Sequence, residues 1–190
     1  ADFQENEGEK TVSLIEEAGG EAFFIDVDVS REKDTEKMVE LAVDKYGKLD
    51  CAFNNAGKLT AHKMEWTETP VELFDELIHT NLKGVWLCMK YELRAMLTQG
   101  YGCIVNNSSI GGVRGGGGEI YVASKHGVLG LTRNAALRYG PQGIRVNAVG
   151  PGIIATETYL EGRRHNPSNE NKINPMIPLG RVGTTEEVAA

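Results

Sequence analysis

Strand-like and helix-like stretches alternate along this chain, and that alternation restricts the possible folds more than any other feature. Ala22–Phe23–Phe24–Ile25 is apolar, and Val27 and Val29 then alternate with Asp26 and Asp28, the period of a half-buried strand. After Ser30, a residue type suited to an N-cap, Met38, Val39, Ala42, Val43 and Tyr46 recur at helical spacing and stop at Gly47. Leu49 to Phe53 predicts a short strand entering Asn54–Asn55–Ala56–Gly57. Thr69, Pro70 and Glu72 then supply an N-cap, a first-turn proline and a capping-box acid for a helix that runs to about Leu97. Cys103 to Asn107 is again strand-like, and Ile120 to Tyr139 again helical, closed by Gly140–Pro141. Ile144, Val146 and Val149 suggest one more strand, which ends at Gly150–Pro151–Gly152. Strands separated by single helices pair in parallel through right-handed crossovers. The expected fold is therefore α/β, a doubly wound parallel sheet between two layers of helices, as a single domain over residues 1–190. In such sheets ligands bind beyond the carboxyl ends of the strands.

Composition narrows the function classes. Acidic residues outnumber basic ones 27 to 20, which argues against nucleic acid, whose phosphates require a basic stripe. No apolar run approaches the roughly 18–20 residues of a membrane span, and Ala1 opens no signal peptide. A cytoplasmic location is expected. Cys51, Cys88 and Cys103 have no CxxC spacing; two lie in short apolar runs, so buried, reduced thiols are expected. The histidines at 62, 79, 126 and 165 lack metal-ligand spacing, and no metal site is predicted. Trp66 and Trp86 are expected to pack.

The chemistry-bearing residues gather where strands end. Ser108 and Ser109 close one strand, and Tyr121-Val-Ala-Ser-Lys125 opens the next helix. Spacing i to i+4 puts Tyr121 and Lys125 on one helix face. A phenol is a poor base at neutral pH, but a neighbouring ammonium stabilises the phenolate and makes tyrosine a usable acid/base. A serine hydroxyl nearby can polarise a carbonyl or hold an alcohol. Alone, YxxxK is a weak signal; with two serines at a strand end upstream it is much stronger.

Together, Asn54–Asn55–Ala56–Gly57, Asn81–Leu82–Lys83–Gly84, Ser108–Ser109, Tyr121-xxx-Lys125 and Pro151–Gly152-xxx-Thr156 resemble the short-chain dehydrogenases/reductases in order and approximate spacing. The resemblance implies a Rossmann-type sheet and transfer of a hydride between NAD and a secondary alcohol or ketone. It implies that Tyr121 is the general acid/base and that Lys125 supports it and holds the nicotinamide ribose. A serine would bind the reacting oxygen, and Asn81 would kink the long helix and hold a water in the proton relay. The loop from Ser109 to Tyr121 is slightly shorter than is usual in that family. Ser108 would restore the spacing, whereas alternation along the strand and position in the pair favour Ser109. Asn55, Ala56 and Gly57 would line the adenosine–ribose path, and Asp28 and Val29 match an adenine-contacting pair, although Asp28 also stands where a capping acid would. Pro151, Gly152 and Ile154 would lie along the cofactor, and Thr156 would contact the carboxamide.

Asp2 matches the acid that accepts from the adenosine ribose 2′-OH. Phe3-Gln4-Glu5-Asn6-Glu7 offers no base for a 2′-phosphate, so NAD is expected. Gly111, Gly115 and Gly117 imitate a phosphate-loop spacing, but no ribose-binding acid follows at the required distance; a loop beside the substrate is expected instead. Residues 153–182, the expected substrate lid, are polar and rich in asparagine (Asn166, Asn169, Asn171, Asn174), and name no substrate. Two rival classes are a lyase or dehalogenase-like reaction on the same scaffold, against which Lys125 and the intact Asn54–Gly57 motif speak, and a non-catalytic fragment or binding module. The resemblance implies that the first βα unit with its glycine-rich loop, and the last strand, lie outside this sequence. The working protein is accordingly expected to carry at least about 25 more residues before Ala1 and about 40 after Ala190, and to form a homo-oligomer, a tetramer or dimer. The 190-residue chain alone is expected not to fold normally or bind NAD.

Overall fold

The computed structural model describes residues 1–59, 65–115, 117–165, 175 and 177–190. His62 and the four asparagines of the expected lid lie outside the described residues. The chain divides into two compact units, Ala1–Val149 and Gly150–Ala190.

The first unit is built on a parallel sheet of strands β1 (Cys51–Asn54), β2 (Gly102–Asn107) and β3 (Ile144–Val149), in that order. Cys51 stands opposite Cys103, Asn54 opposite Asn106, and Ile104 opposite Val146. Helices α1 (Glu5–Glu17) and α2 (Glu32–Tyr46) precede β1. Between β1 and β2 lie α3 (Val71–Ile78) and α4 (Val85–Gln99), joined by a π-helical turn at His79–Gly84. Helix α5 (Glu119–Tyr139) carries the chain from β2 to β3. These helical crossovers return the chain to the same edge and so keep the strands parallel; the architecture is Rossmann-like.

Helical spacing explains the core. Val85, Met89, Leu93 and Met96 form one stripe of α4, and they cluster with Ile104, Ile144 and Val146 of the sheet and with Val128 and Ala135 of α5. Ile104, Ile144, Met96 and Val128 are fully buried. Truncating such a residue costs about 2–5 kcal/mol. The turn into β3 depends on Gly143, which adopts φ 82° and whose Cβ, if present, would stand 2.5 Å from the Gly100 carbonyl oxygen. Gly143→Ala is expected to destabilise the protein by about 1–3 kcal/mol, read as a fall in Tm; an unchanged Tm would contradict this close approach.

Several local expectations are corrected. Residues 22–29 form no strand ladder: they make one parallel bridge, Asp2 to Asp26, because the partner segment turns into α1 directly after Gln4. Ser30 does not cap α2, whose N-cap is Arg31; its hydroxyl donates to Asp28 Oδ1 at 2.7 Å instead. Thr69 does not form a capping box, since α3 starts after Pro70 without a side-chain cap and the Thr69 hydroxyl donates to Glu119 Oε1 at 2.9 Å. Cys51 is exposed, Cys103 half-buried and only Cys88 buried, because β1 is an edge strand whose Cys51/Phe53 face is uncovered. Trp66 and Trp86 are 76% and 48% exposed; Trp86 falls outside the buried stripe of α4.

The second unit contains α6 (Glu157–His165), a parallel bridge between Ile154 and Gly183, and the short helix α7 (Thr185–Ala189). A capping box opens α7: Thr184 Oγ1 accepts from Glu187 N, and Glu187 Oε2 accepts from Thr184 N. Arg181 also grips Glu187 with two bonds of 2.9 and 2.7 Å, and this guanidinium holds the Glu187 carboxyl down to about 2.

Candidate active site

In the first unit the carboxyl ends of β1 and β2 bring the expected catalytic residues together. Tyr121 and Lys125 share one face of α5, with Lys125 Nζ 5.6 Å from the Tyr121 ring centre. Lys125 is 4% exposed, and burial pushes its ammonium down to about 8. Its Nζ donates to the Asn107 carbonyl oxygen at 2.7 Å, which fixes the lysine against the end of β2.

The two serines differ. Ser108 is buried and its hydroxyl donates to the Lys125 carbonyl at 3.0 Å. Ser109 Oγ accepts from Gly111 N at 3.1 Å, and its hydroxyl donates to no partner among the described residues. A Cβ built on Gly111 would lie 3.5 Å from Ser109 Oγ and 3.8 Å from the Tyr121 ring, so those two side chains flank one point. Gly111 belongs to a 3-10 turn, Ile110–Gly112, and the described chain from there to Gly118 is irregular, the loop expected for these glycines.

Asn81 sits in the π-helical turn and is fully buried. Its Oδ1 accepts from Lys58 N at 2.7 Å and its Nδ2 donates to the Lys58 carbonyl at 2.9 Å. It therefore pins the residue that follows Gly57. A Cβ on Gly57 would fall 3.4 Å from Asn81 Oδ1 and 3.7 Å from Lys125 Nζ, which places Gly57 beside both. π-helical insertions of this kind recur at functional sites.

A cleft of about 420 Å³ opens beside these residues, lined by Asp2, Phe3, Val27, Asp28, Val29, the β1 end with Asn55, Ala56 and Gly57, and Lys58. It thus unites six positions expected to touch the cofactor. Asp28 accepts from Ser30 N and Oγ; the Ser30 hydroxyl bond is the main cause holding its carboxyl below the usual range. Val29 packs on the π-helical turn, where a Cβ on Gly84 would come within 2.8 Å of its methyl. Asp2 Oδ1 accepts from Gln4 N at 3.0 Å. Asn55 Oδ1 receives Asn107 Nδ2 at 2.6 Å, while Asn107 Oδ1 is buried without a partner among the described residues. An apolar-and-acidic cleft, a glycine that passes beside Lys125, and an orphaned oxygen on Asn107, whose amide holds the cleft residue Asn55, fit a dinucleotide.

Pro151, Gly152, Ile154 and Thr156 belong to the second unit. There Ile154 makes the bridge to Gly183, its carbonyl accepts from Thr156 N at 2.8 Å, and Thr156 Oγ1 accepts from Tyr159 N at 3.4 Å. Sequence reasoning missed Phe3, Lys58 and Glu92 as cleft residues. Lys58 and Phe3 are flagged only by adjacency to motif residues; Glu92 carried a clearer signal, an acid on the apolar stripe of α4.

Comparison with known proteins agrees with this geometry. A family model described as Enoyl-(Acyl carrier protein) reductase matches residues 1–190. The chain is 39% identical over 190 residues to a cyclohexanol dehydrogenase of Acinetobacter sp. (strain SE19), covering 100% of this chain and 73% of that one. Among solved structures it is similar to a single-residue variant of actinorhodin polyketide ketoreductase with NADPH, with TM-score 0.92, 35% identity, and coverage of 99% of this chain and 76% of the other. It is also similar to NAD+-bound xylitol dehydrogenase, with TM-score 0.89, 30% identity, and coverage of 96% and 75%. No helix among the described residues is long and apolar enough to cross a membrane. A parallel Rossmann-like sheet with these motifs at its strand ends, and these relatives, identify the chain as a member of the short-chain dehydrogenase/reductase family of nicotinamide-dependent oxidoreductases.

Proposed function

We propose that the protein interconverts a secondary alcohol and a ketone with NAD, Tyr121 acting as general acid/base. The observation that carries this reading is the convergence of Ser109 Oγ and the Tyr121 ring on Gly111, with Lys125 Nζ 5.6 Å from the centre of that ring. The bound nicotinamide supplies the hydride acceptor or donor. The chain's own residues handle the oxygen and the proton. Ser109 donates to the reacting oxygen, for which its hydroxyl proton is free; Ser108 cannot serve, because its proton is committed to the Lys125 carbonyl. Tyr121 takes the alcohol proton in oxidation and returns it in reduction. Lys125, an ammonium short of solvent, stabilises the phenolate while it exists. Asn81 keeps Lys58 and Gly57 in place beside Lys125.

The choice of NAD rests on Asp2, since relatives with NAD+ and with NADPH bound are both similar to this chain. Asp2 lines the cleft with Phe3 and Gln4, and the Lys58 ammonium, also of that lining, is engaged by Glu76 at 2.6 Å. A 2′-phosphate beside Asp2, Glu5 and Glu7 would meet repulsion without a compensating base. In the full-length protein, kcat/KM is expected to favour NAD over NADP by about tenfold or more, the effect of roughly 1.4 kcal/mol. Asp2→Ser with Phe3→Arg is expected to narrow or reverse the preference. Equal kcat/KM for both cofactors in the parent would refute the role given to Asp2. A panel of secondary alcohols, including cyclic ones such as the named relative's cyclohexanol, tests the substrate class; no nicotinamide absorbance change with any of them would count against it.

A further inference from the structure

Glu92 lies on α4 and is 3% exposed, yet it lines the same cleft. Among the described residues no lysine or arginine pairs with it. Its Oε2 accepts instead from Asn54 Nδ2 at 3.0 Å, and the same amide group donates to Asn106 Oδ1 at 3.0 Å. Asn106 Nδ2 donates onward to Thr132 Oγ1 at 2.9 Å, and Thr132 Oγ1 to the Val128 carbonyl at 2.8 Å. One buried chain of hydrogen bonds thus joins α4, the last residue of β1, its register partner on β2, and α5. An apolar residue would suit this position better, because Val85, Cys88, Met89, Leu93 and Met96 around it on α4 are all buried. A carboxyl taken out of water without a cation is costly, so its persistence calls for a use. The geometry supplies one: Asn54 is the residue from which Asn55, Ala56 and Gly57 depart into the cleft.

Resting on the cofactor reading above, we propose that Glu92 is a positioning residue for that turn: by holding the Asn54 carboxamide it fixes the orientation in which Asn55–Gly57 receives the dinucleotide. Glu92→Gln keeps an acceptor oxygen for Asn54, whereas Glu92→Leu removes it. Calorimetric Kd for NAD, KM and kcat, and Tm are measured for the parent and both variants. E92L is expected to weaken NAD binding and raise its KM by about tenfold, with kcat at saturating NAD within about twofold and Tm not lowered. E92Q is expected to restore Kd to within about threefold of the parent. If E92L does not fold, Asn54→Ser removes the same bond from the other side and is expected to show the same loss. Parental Kd in every variant overturns this inference alone, as does an E92Q as weak as E92L or a loss confined to kcat. A full-length parent that binds no NAD overturns the cofactor reading and this inference with it.

Discussion

Tyr121→Phe is expected to lower kcat by about 10²–10⁴-fold while Tm and NAD affinity stay close to those of the parent. The substitution removes a hydroxyl and leaves the ring, so packing beside Gly111 and Val122 is kept, and no hydrogen bond among the described residues is lost with it. What disappears is the group that can accept a proton at the point flanked by Ser109 Oγ. Lys125 cannot substitute for it: its Nζ is turned to the Asn107 carbonyl at 2.7 Å. Steady-state kinetics with NAD and a turned-over secondary alcohol checks this. A variant that keeps half the parental kcat would remove Tyr121 from the chemistry.

Lys125→Met is expected to lower kcat/KM by about a hundredfold or more and, at the same time, to stabilise the fold. The ammonium is buried and its affinity for a proton falls from 10.5 to about 8. That difference corresponds to about 3 kcal/mol; losing the bond to the Asn107 carbonyl returns about 1 kcal/mol, so a net gain of about 2 kcal/mol is expected at pH 7. Below about pH 8 the folded lysine is charged and the full cost of burying that charge is present. Between about 8 and 10.5 the unfolded chain still binds this proton and the folded one does not, so the parent gains stability as pH rises. The advantage of the variant should therefore be largest below pH 8 and shrink toward pH 10.5. Denaturant unfolding of both proteins across that range measures it. A variant less stable than the parent at pH 7, or a difference that does not change with pH, would contradict the burial of a charged Lys125.

Patterning made several elements legible: the Met38–Tyr46 helical stripe, the Cys103–Asn107 strand and the helix carrying Tyr121 all stand where the sequence puts them. Helix α1 was not legible, because none of its residues is buried and periodicity detects only helices with an apolar face to pack. The alternation of residues 22–29 overstated a strand, since the pattern describes sidedness and not the presence of a ladder partner. Caps were misjudged at Ser30 and Thr69 for a related reason. Their hydroxyls found carboxylates, Asp28 and Glu119, one of them 50 residues away. At the site, the i to i+4 pair of Tyr121 and Lys125 followed from local geometry alone. The distinction between Ser108 and Ser109 did not, because it depends on which hydroxyl meets the Lys125 carbonyl. The bonds from Asn54 to Glu92 and Asn106 span 38 and 52 residues, and only the folded sheet brings those residues together.

The pH dependence of NAD-linked alcohol oxidation in the parent and in Lys125→Met tests the central claim, a tyrosine base supported by a buried lysine, most directly. The account predicts a parent rate that rises with pH on the alkaline side, and a rise displaced to higher pH in the variant, because the phenolate has lost its ammonium. Two superimposable profiles, or a parent rate independent of pH, would contradict it.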